Sequence, residues 1–181
     1  MAADSLAHKG VLHIQVHPVG APNTWDIFFT HTQDIDPGND RSFEGRDALY
    51  YQLIELAKMV ETDRDPKSPA IIMGDLNIPA EISAHYEKMI SSLDSKGLIS
   101  DLWKAKYSDP GFTYSMSNNF YDDVTDTPDH SSRLDYFLLK SGRAFYPALK
   151  DVEILRWTHN GRNVSDHFGI QATFEEGLQV R

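Results

Sequence analysis

The sequence contains no cysteine, which excludes both disulfide bonds and thiolate metal sites. Any bound metal ion must therefore be held by oxygen or imidazole. No apolar run approaches the roughly 20 residues of a membrane span, and the N-terminus lacks the apolar core of a signal peptide. We therefore expect a soluble protein without disulfides, whose cellular compartment the sequence leaves open.

Positive charge is scarce, with 17 Lys and Arg against 27 Asp and Glu and a formal net charge of −10. No basic cluster interrupts this balance, so the chain has no electrostatic footprint for tight, non-specific nucleic-acid binding. That disfavours a passive nucleic-acid binder. It leaves room for a metal enzyme acting on phosphodiesters, because bound divalent cations would invert the local field.

The chain is otherwise ordinary for a soluble globular protein, with 181 residues, 40% hydrophobic and 24% charged. This length predicts a single domain over residues 1–181. Apolar periodicity predicts strands at 11–17, 25–32, 70–73, 133–139, 151–156 and 170–174, helices at 46–60 and 80–93, and a short helical turn after 96.

In the first predicted strand the apolar residues alternate with polar ones, which indicates one buried and one solvated face. Leu12, Ile14 and Val16 fall on one face, and His13 and His17 fall on the other. Two histidines four apart on a strand lie about 13 Å from each other and cannot share one metal ion. We therefore expect both histidines at the surface.

The sharpest change of character is at Gly74-Asp75-Leu76-Asn77, which follows an apolar run. Gly74 lets the backbone turn without a Cβ clash, so Asp75 and Asn77 should project from the strand end on one side of the chain. A carboxylate and a carboxamide so placed can position a water molecule or a metal ion against a phosphate. The alternative is a structural turn with an Asx cap before the helix that begins near Pro79.

Polar residues at three other predicted strand ends have similar potential. His31 ends the second strand, although a lone histidine there is more often structural. Asp135 begins a strand, and a buried carboxylate needs a partner, which could be a histidine, a donor or simply Arg133. Asp166 and His167 stand together just before the last strand.

Residues 108–132 form an irregular, acidic stretch of a kind that is usually functional or mobile. Its aspartates do not match the spacing of a calcium loop, so we expect most of them to be solvated. Its aromatic residues could line a substrate cleft. They are Phe112, Tyr114, Phe120 and Tyr121.

Four of these motifs stand in the order and approximate spacing of the endonuclease/exonuclease/phosphatase superfamily. They are Thr30-His31-Thr32-Gln33, Gly74-Asp75-Leu76-Asn77, Arg133-Leu134-Asp135-Tyr136 and Ser165-Asp166-His167-Phe168-Gly169. With Lys9-Gly10-Val11-Leu12 and the closing Ser-Asp-His-Phe-Gly-Ile, the chain most resembles the branch that contains neutral sphingomyelinases. The resemblance spans residues 9–174. It implies an α+β fold, a two-layer β-sandwich flanked by helices.

The resemblance also implies that the domain is incomplete at its N-terminus. In that superfamily the N-terminal portion supplies an asparagine and a metal-binding glutamate from early strands, and no counterpart precedes Lys9. We therefore expect the C-terminal portion of such a domain. Its sheet edges would be open to a partner or to a second copy of the chain.

The resemblance assigns roles to the polar residues at the strand ends. Asp75 would orient or deprotonate the attacking water, and Asn77 would hold that water or a phosphate oxygen. His167 would act as an acid or base, with its tautomer fixed by Asp135 or a neighbour. His31 would donate to a phosphoryl oxygen as charge develops.

The implied cofactor is Mg²⁺ or another divalent cation such as Mn²⁺, held by Asp166 and Asp75. The implied function is metal-dependent hydrolysis of a phosphoester or phosphodiester, and the acidic balance favours a phospholipid such as sphingomyelin or a small molecule. Two alternatives stay open: a nuclease acting on DNA or RNA, and a non-catalytic truncated module that binds a partner.

Overall fold

The structure, a computed structural model, describes residues 8–20, 23–34, 42–94, 96–120, 130–143 and 145–179. The strands are β1 (Val11–Val16), β2 (Trp25–Thr30), β3 (Ala70–Asp75), β4 (Ile99–Asp101), β5 (Asp135–Lys140), β6 (Phe145–Leu155), β7 (Thr158–His159), β8 (Arg162–Asn163) and β9 (Gly169–Gln179). The helices are α1 (Ser42–Asp63), α2 (Ser83–Leu93) and α3 (Leu102–Lys106).

The apolar strand β3 lies at the centre of a five-stranded sheet with the order β1-β2-β3-β5-β4. It runs parallel to β2, from which α1 returns the chain, and antiparallel to β5. The end of β3 therefore lies beside the end of β2 and the start of β5. These are the places where the sequence puts Asp75, His31 and Asp135.

The two faces of this sheet are covered by different layers. Helices α1 and α2 pack on one face around Phe28, Ile72 and Leu138, all fully buried. On the other face Trp25 contacts Phe174 of the β6-β9 sheet edge to face, with ring centroids 5.0 Å apart. The predicted α+β fold, two sheet layers flanked by helices, is confirmed.

Strand β1 departs from the predicted pattern of one buried and one solvated face, although Val16 packs against the core as predicted. Leu12 and Ile14 are 58% and 42% exposed, whereas His13 points inward and stacks on Phe28 with ring centroids 4.2 Å apart. The reason is the buried carboxylate of Asp26, to which His13 Nε2 is bonded at 2.8 Å. Satisfying a buried charge outweighs the burial of two side chains on a strand at the sheet edge. The prediction that His13 lies at the surface is therefore wrong.

Several predicted elements change length. Helix α1 begins before the predicted start at 46. Strands β6 and β9 form an antiparallel pair, and each is longer than the strand predicted there. Residues Ile99–Asp101 form the edge strand β4 beside β5 before the predicted helical turn, which is α3. Within the described ranges, no helix is long and apolar enough to cross a membrane.

Some predictions fall on residues outside the described ranges. They concern Tyr121 and four aspartates of the acidic stretch, Asp122, Asp123, Asp126 and Asp129. That residues 1–181 form one domain, the C-terminal portion of a larger one, stays a prediction. So does association through the open edges of the sheet, which are β1 and β4.

Candidate active site

The ends of β2 and β3 approach each other unusually closely at Gly74. Its φ is +125°, and a Cβ placed there would lie 2.0 Å from the carbonyl oxygen of Thr30. Only glycine fits this position without displacing the backbone. The amide of Thr32 then donates to the carbonyl of Asp75 at 3.0 Å, so the His31 segment is tied to the end of β3.

Asp75 and Asn77 form a compact turn after β3. The amide of Asn77 donates to Asp75 Oδ1 at 2.9 Å, an Asx turn that accommodates the φ of +50° at Asn77. Asn77 Nδ2 donates to the carbonyl of Thr32 at 2.9 Å, which fixes the carboxamide. Helix α2 starts later, with Ile82 at its N-cap and no side-chain cap. The turn of the structural alternative is thus present, but its helix cap is not.

Asp135 reaches the same place from β5, where it lies directly opposite Asp75 in the strand register. Its Oδ2 is 2.8 Å from Nδ1 of His167, and that nitrogen is 4.0 Å from Asp75 Oδ2. Arg133 is instead paired with the buried carboxylate of Asp101 at 2.8 Å. The partner of Asp135 is therefore the histidine rather than the neighbouring arginine.

His31 lies at the exposed side of the cluster. Its Nε2 is 3.6 Å from Asp75 Oδ2, and its side chain is 56% exposed. The distance is too long for a hydrogen bond and allows an ion pair when the imidazole is protonated. An exposed imidazole beside a recessed carboxylate is well placed to meet an incoming anion.

Burial and crowding of the carboxylates shift the titration of the site. Burial, followed by the negative charge of Asp135, raises the pKa of Asp75 to about 7. Burial alone would lower the pKa of His167, but the hydrogen bond to Asp135 and the charges of Asp135, Asp75 and Asp166 raise it to about 8. A carboxyl group and an imidazole with shifted pKa values, lying side by side, are typical of sites that transfer protons.

The donor set at this cluster suits a hard divalent cation. Among the described residues, Asp75, Asp135 and His167 offer ligand atoms that all lie within 4.8 Å of one another. Carboxylate oxygens are the ligands that Mg²⁺ prefers. Asp166, the other predicted ligand, is outside this group, and its Oδ1 accepts from Ser165 Oγ at 3.2 Å. Metal binding by Asp166 stays a prediction.

Among the described aromatic residues of the predicted cleft, Tyr114 lies at the site. The ring of Tyr114 lies 5.3 Å from that of His167 and 5.6 Å from that of His130, centroid to centroid. His130 was not singled out from the sequence, because it lies in a stretch without periodicity. Thr113 and Asn118, which hold the backbone around the site, were missed for the same reason.

Comparison with known proteins places the fold. No family model and no curated protein matches the sequence. Solved structures do match: beta toxin 275-280 from Staphylococcus aureus aligns with a TM-score of 0.71 and 19% identity over 97% of this chain and 60% of that one. D. rerio TDP2 complexed with single strand DNA product aligns with a TM-score of 0.67 and 19% identity, over 92% of this chain and 62% of that one.

A third match is an endonuclease/exonuclease/phosphatase from Beutenbergia cavernae, with a TM-score of 0.59 and 21% identity over 93% of this chain and 40% of that one. At these identities the likeness establishes the fold alone. The chain has the endonuclease/exonuclease/phosphatase fold, as its motifs imply. It spans about 60% of the length of the first two solved chains.

Proposed function

We propose that this chain carries the hydrolytic site of a metal-dependent phosphodiesterase. The observation that supports it is the convergence of Asp75, Asp135 and His167, from three separate segments, within 4.8 Å. Asn77 and His31 flank this group. Phosphodiester hydrolysis needs an activated water, neutralisation of the non-bridging oxygens and a proton for the leaving oxygen, and this set offers a group for each.

Proton transfer is assigned to His167. Its Nδ1 is bonded to Asp135, so Nε2 is the ring nitrogen left to exchange a proton with water or the leaving oxygen. Asp135 fixes the tautomer and orientation of the ring and stabilises the imidazolium. Asp75 orients or deprotonates the attacking water, since burial has brought its pKa to about 7.

The phosphate is received by Asn77, His31 and a cation. Asn77 holds the water or a phosphate oxygen, and His31 donates from the exposed side. Asp75 and Asp135 would hold Mg²⁺ or Mn²⁺, with Asp166 as the further predicted ligand. When bound, the cation supplies neutralisation of charge on the phosphate oxygens.

A phospholipid headgroup such as that of sphingomyelin, or a small phosphodiester, is the preferred substrate. The support is the net charge of −10 without a basic cluster, which disfavours long polyanions. A nuclease is the alternative within the class, favoured by the similarity to a structure solved with a single-strand DNA product. A non-catalytic binding module is the alternative outside it, favoured by the exposed apolar side of β1.

The test is hydrolysis of bis(4-nitrophenyl) phosphate and of sphingomyelin, with Mg²⁺ and with chelator. Asp75→Asn should reduce activity at least about 100-fold, because it removes the carboxylate but keeps the shape. The matched control is Asp63→Asn at the end of α1, which lies at the opposite end of β3 because α1 connects two parallel strands. Metal-dependent activity that survives Asp75→Asn would refute this site. A folded, inactive chain would favour the binding module.

A further inference from the structure

Within the irregular region, the segment around Tyr114 lies between the two backbone segments that carry Asp135 and His167. Tyr114 forms β-bridges with Ser132 on one side and with His167 on the other. The amides of Thr113 and Tyr114 both donate to the carbonyl of Ser132, at 3.1 and 3.0 Å. The acid-base pair is therefore joined across this segment, although no named strand includes it.

Thr113 contacts both sides of the pair. Its hydroxyl oxygen accepts from the amide of Leu134 at 3.1 Å and from the amide of Asp135 at 3.2 Å. Its carbonyl accepts from the amide of Phe168, the neighbour of His167, at 2.7 Å. A single residue thus hydrogen-bonds to the backbone of one partner of the pair and to the backbone next to the other.

The hydroxyl of Thr113 cannot readily be replaced by solvent. Thr113 is fully buried, so without its oxygen the two amides at 134 and 135 would lose their shared acceptor in a place that bulk water does not reach. An unsatisfied buried amide is costly enough to move the backbone until it finds another partner. Movement there would carry Asp135 away from His167.

A second anchor holds the other end of the segment. Asn118, which is buried, donates from Nδ2 to the carbonyls of Ser165 and Asp166, each at 3.0 Å, while its Oδ1 accepts from the amide of Phe120 at 2.9 Å. The backbone around His167 is therefore held on one side by Asn118 and on the other by the carbonyl of Thr113.

We infer that Thr113 is a positioning residue for the His167–Asp135 pair, with its hydroxyl setting the location of Asp135 and its carbonyl that of the His167 segment. The inference rests on the proposed function in so far as the pair performs proton transfer. A purely structural threonine would affect only the stability of the fold. A positioning threonine also controls the bond between His167 Nδ1 and Asp135.

The test compares Thr113→Ser, which keeps the acceptor, with Thr113→Ala and Thr113→Val, which remove it. The direct readout is the downfield NMR resonance of the His167 Nδ1 proton in the metal-free protein. We expect it to be retained in Thr113→Ser and to be lost or shifted upfield in the other two. The matched control is Thr173→Val on β9, a half-buried strand threonine that should leave the resonance unchanged.

In the active protein, kcat should fall by as much as about 100-fold in Thr113→Ala and Thr113→Val, with KM within about two-fold and activity largely restored in Thr113→Ser. If Thr113→Val does not fold, the Ser and Ala pair decides, since both lack the methyl group and differ in the acceptor. An unchanged resonance in a folded Thr113→Ala would overturn the inference. An inactive wild type with the expected resonance changes would refute the proposed function and leave the positioning role standing.

Discussion

Among the described residues, two histidine–aspartate pairs have the same bond length and different surroundings. His13 Nε2 lies 2.8 Å from Asp26, and His167 Nδ1 lies 2.8 Å from Asp135. Asp26 is at the start of β2, opposite Ala70 at the start of β3, whereas Asp135 is opposite Asp75 at the end of β3. The two pairs therefore lie beside opposite ends of β3.

The difference lies in how fully each carboxylate is satisfied. Asp26 has no exposed surface and accepts from His13, from Gln15 Nε2 at 3.0 Å and from the amide of Asp65 at 3.1 Å. A carboxylate with such a complete set of donors has little capacity left for chemistry and stabilises the sheet.

The pair at the other end is open. The side chains of Asp135 and His167 are 18% and 24% exposed, and the carboxylate of Asp75 stands 4.0 Å from His167 Nδ1. Because Asp135 and His167 are accessible to solvent, both keep hydrogen-bonding capacity for a ligand, and the carboxylate of Asp75 adds a second negative charge near the ring. The surroundings of a histidine–aspartate pair, and not the pair itself, thus separate a structural pair from one that is open to a ligand.

The largest expected effect comes from replacing the histidine of each pair with an amide side chain. His167→Asn keeps a donor for Asp135 but lacks Nε2, so we expect hydrolysis to fall about 10²- to 10⁴-fold in a protein that still folds. His13→Gln keeps a donor for Asp26 and should leave kcat unchanged. Equal activity losses in the two variants, measured on the same phosphodiester, would abolish the distinction between the pairs.

The next largest effect is on stability, and here we expect the greater change at the Asp26 pair. Asp26→Asn should lower the free energy of unfolding by about 2–3 kcal/mol, because it weakens several buried hydrogen bonds to a charged group. Asp135→Asn should cost less, since it also relieves the repulsion between two carboxylates. Urea unfolding of the metal-free proteins measures both, and a larger loss for Asp135→Asn would contradict the assignment of Asp26 as the structural carboxylate.

The open pair should also make stability depend on pH. His167 has a pKa of about 8 in the folded protein against 6.5 for its ordinary value, so the folded state holds more protons. Its contribution, at most about 2 kcal/mol, is fully present below pH 6.5 and is lost as the pH rises through 8. Asp75, raised from 3.8 to about 7, adds a decline between those values.

Unfolding midpoints of the metal-free protein measured from pH 5 to 9 would reveal this fall. The His167→Asn variant, in which the imidazole is absent, should show a flatter profile above pH 6.5. Stability that rises over this range in the wild type would be incompatible with the arrangement of charges at the site.

The smallest effect sharpens the comparison within the open site. In Asp135→Asn the pKa of Asp75 should fall, because the neighbouring negative charge is removed, yet stay above its ordinary value, because burial is the larger cause of the shift. Carbon-detected NMR titration of Asp75 without metal measures it. A pKa that returns fully to its ordinary value would make charge, and not burial, the dominant cause.

Much of the site could be predicted because its residues follow regular strands. Asp75, Asp135 and His167 stand next to apolar runs whose ends the sheet must bring together, and the structure places all three in one cluster. His31 and Asn77 lie where the same reasoning put them, beside Asp75. Periodicity located the strand ends, and the family resemblance indicated that their polar residues share one site.

What could not be predicted depends on contacts distant in the chain. The inward position of His13 follows from a carboxylate on the next strand, Asp26, which periodicity within residues 11–17 cannot reveal. Thr113 lies in a segment without regular alternation, and its partners are more than 20 residues away. Buried polar satisfaction is a property of the assembled fold, so a local pattern carries no signal of it.

Gly74 shapes the site because it lacks a Cβ atom. Any side chain at this position would force apart the strand ends that carry His31 and Asp75, because the Thr30 carbonyl occupies the space of a Cβ. The distance between positions 31 and 75 is thus set by the main chain, whichever side chains they carry. In a mutational scan, position 74 should tolerate no replacement, whereas the exposed side chain of His31 should be exchangeable with little loss of stability.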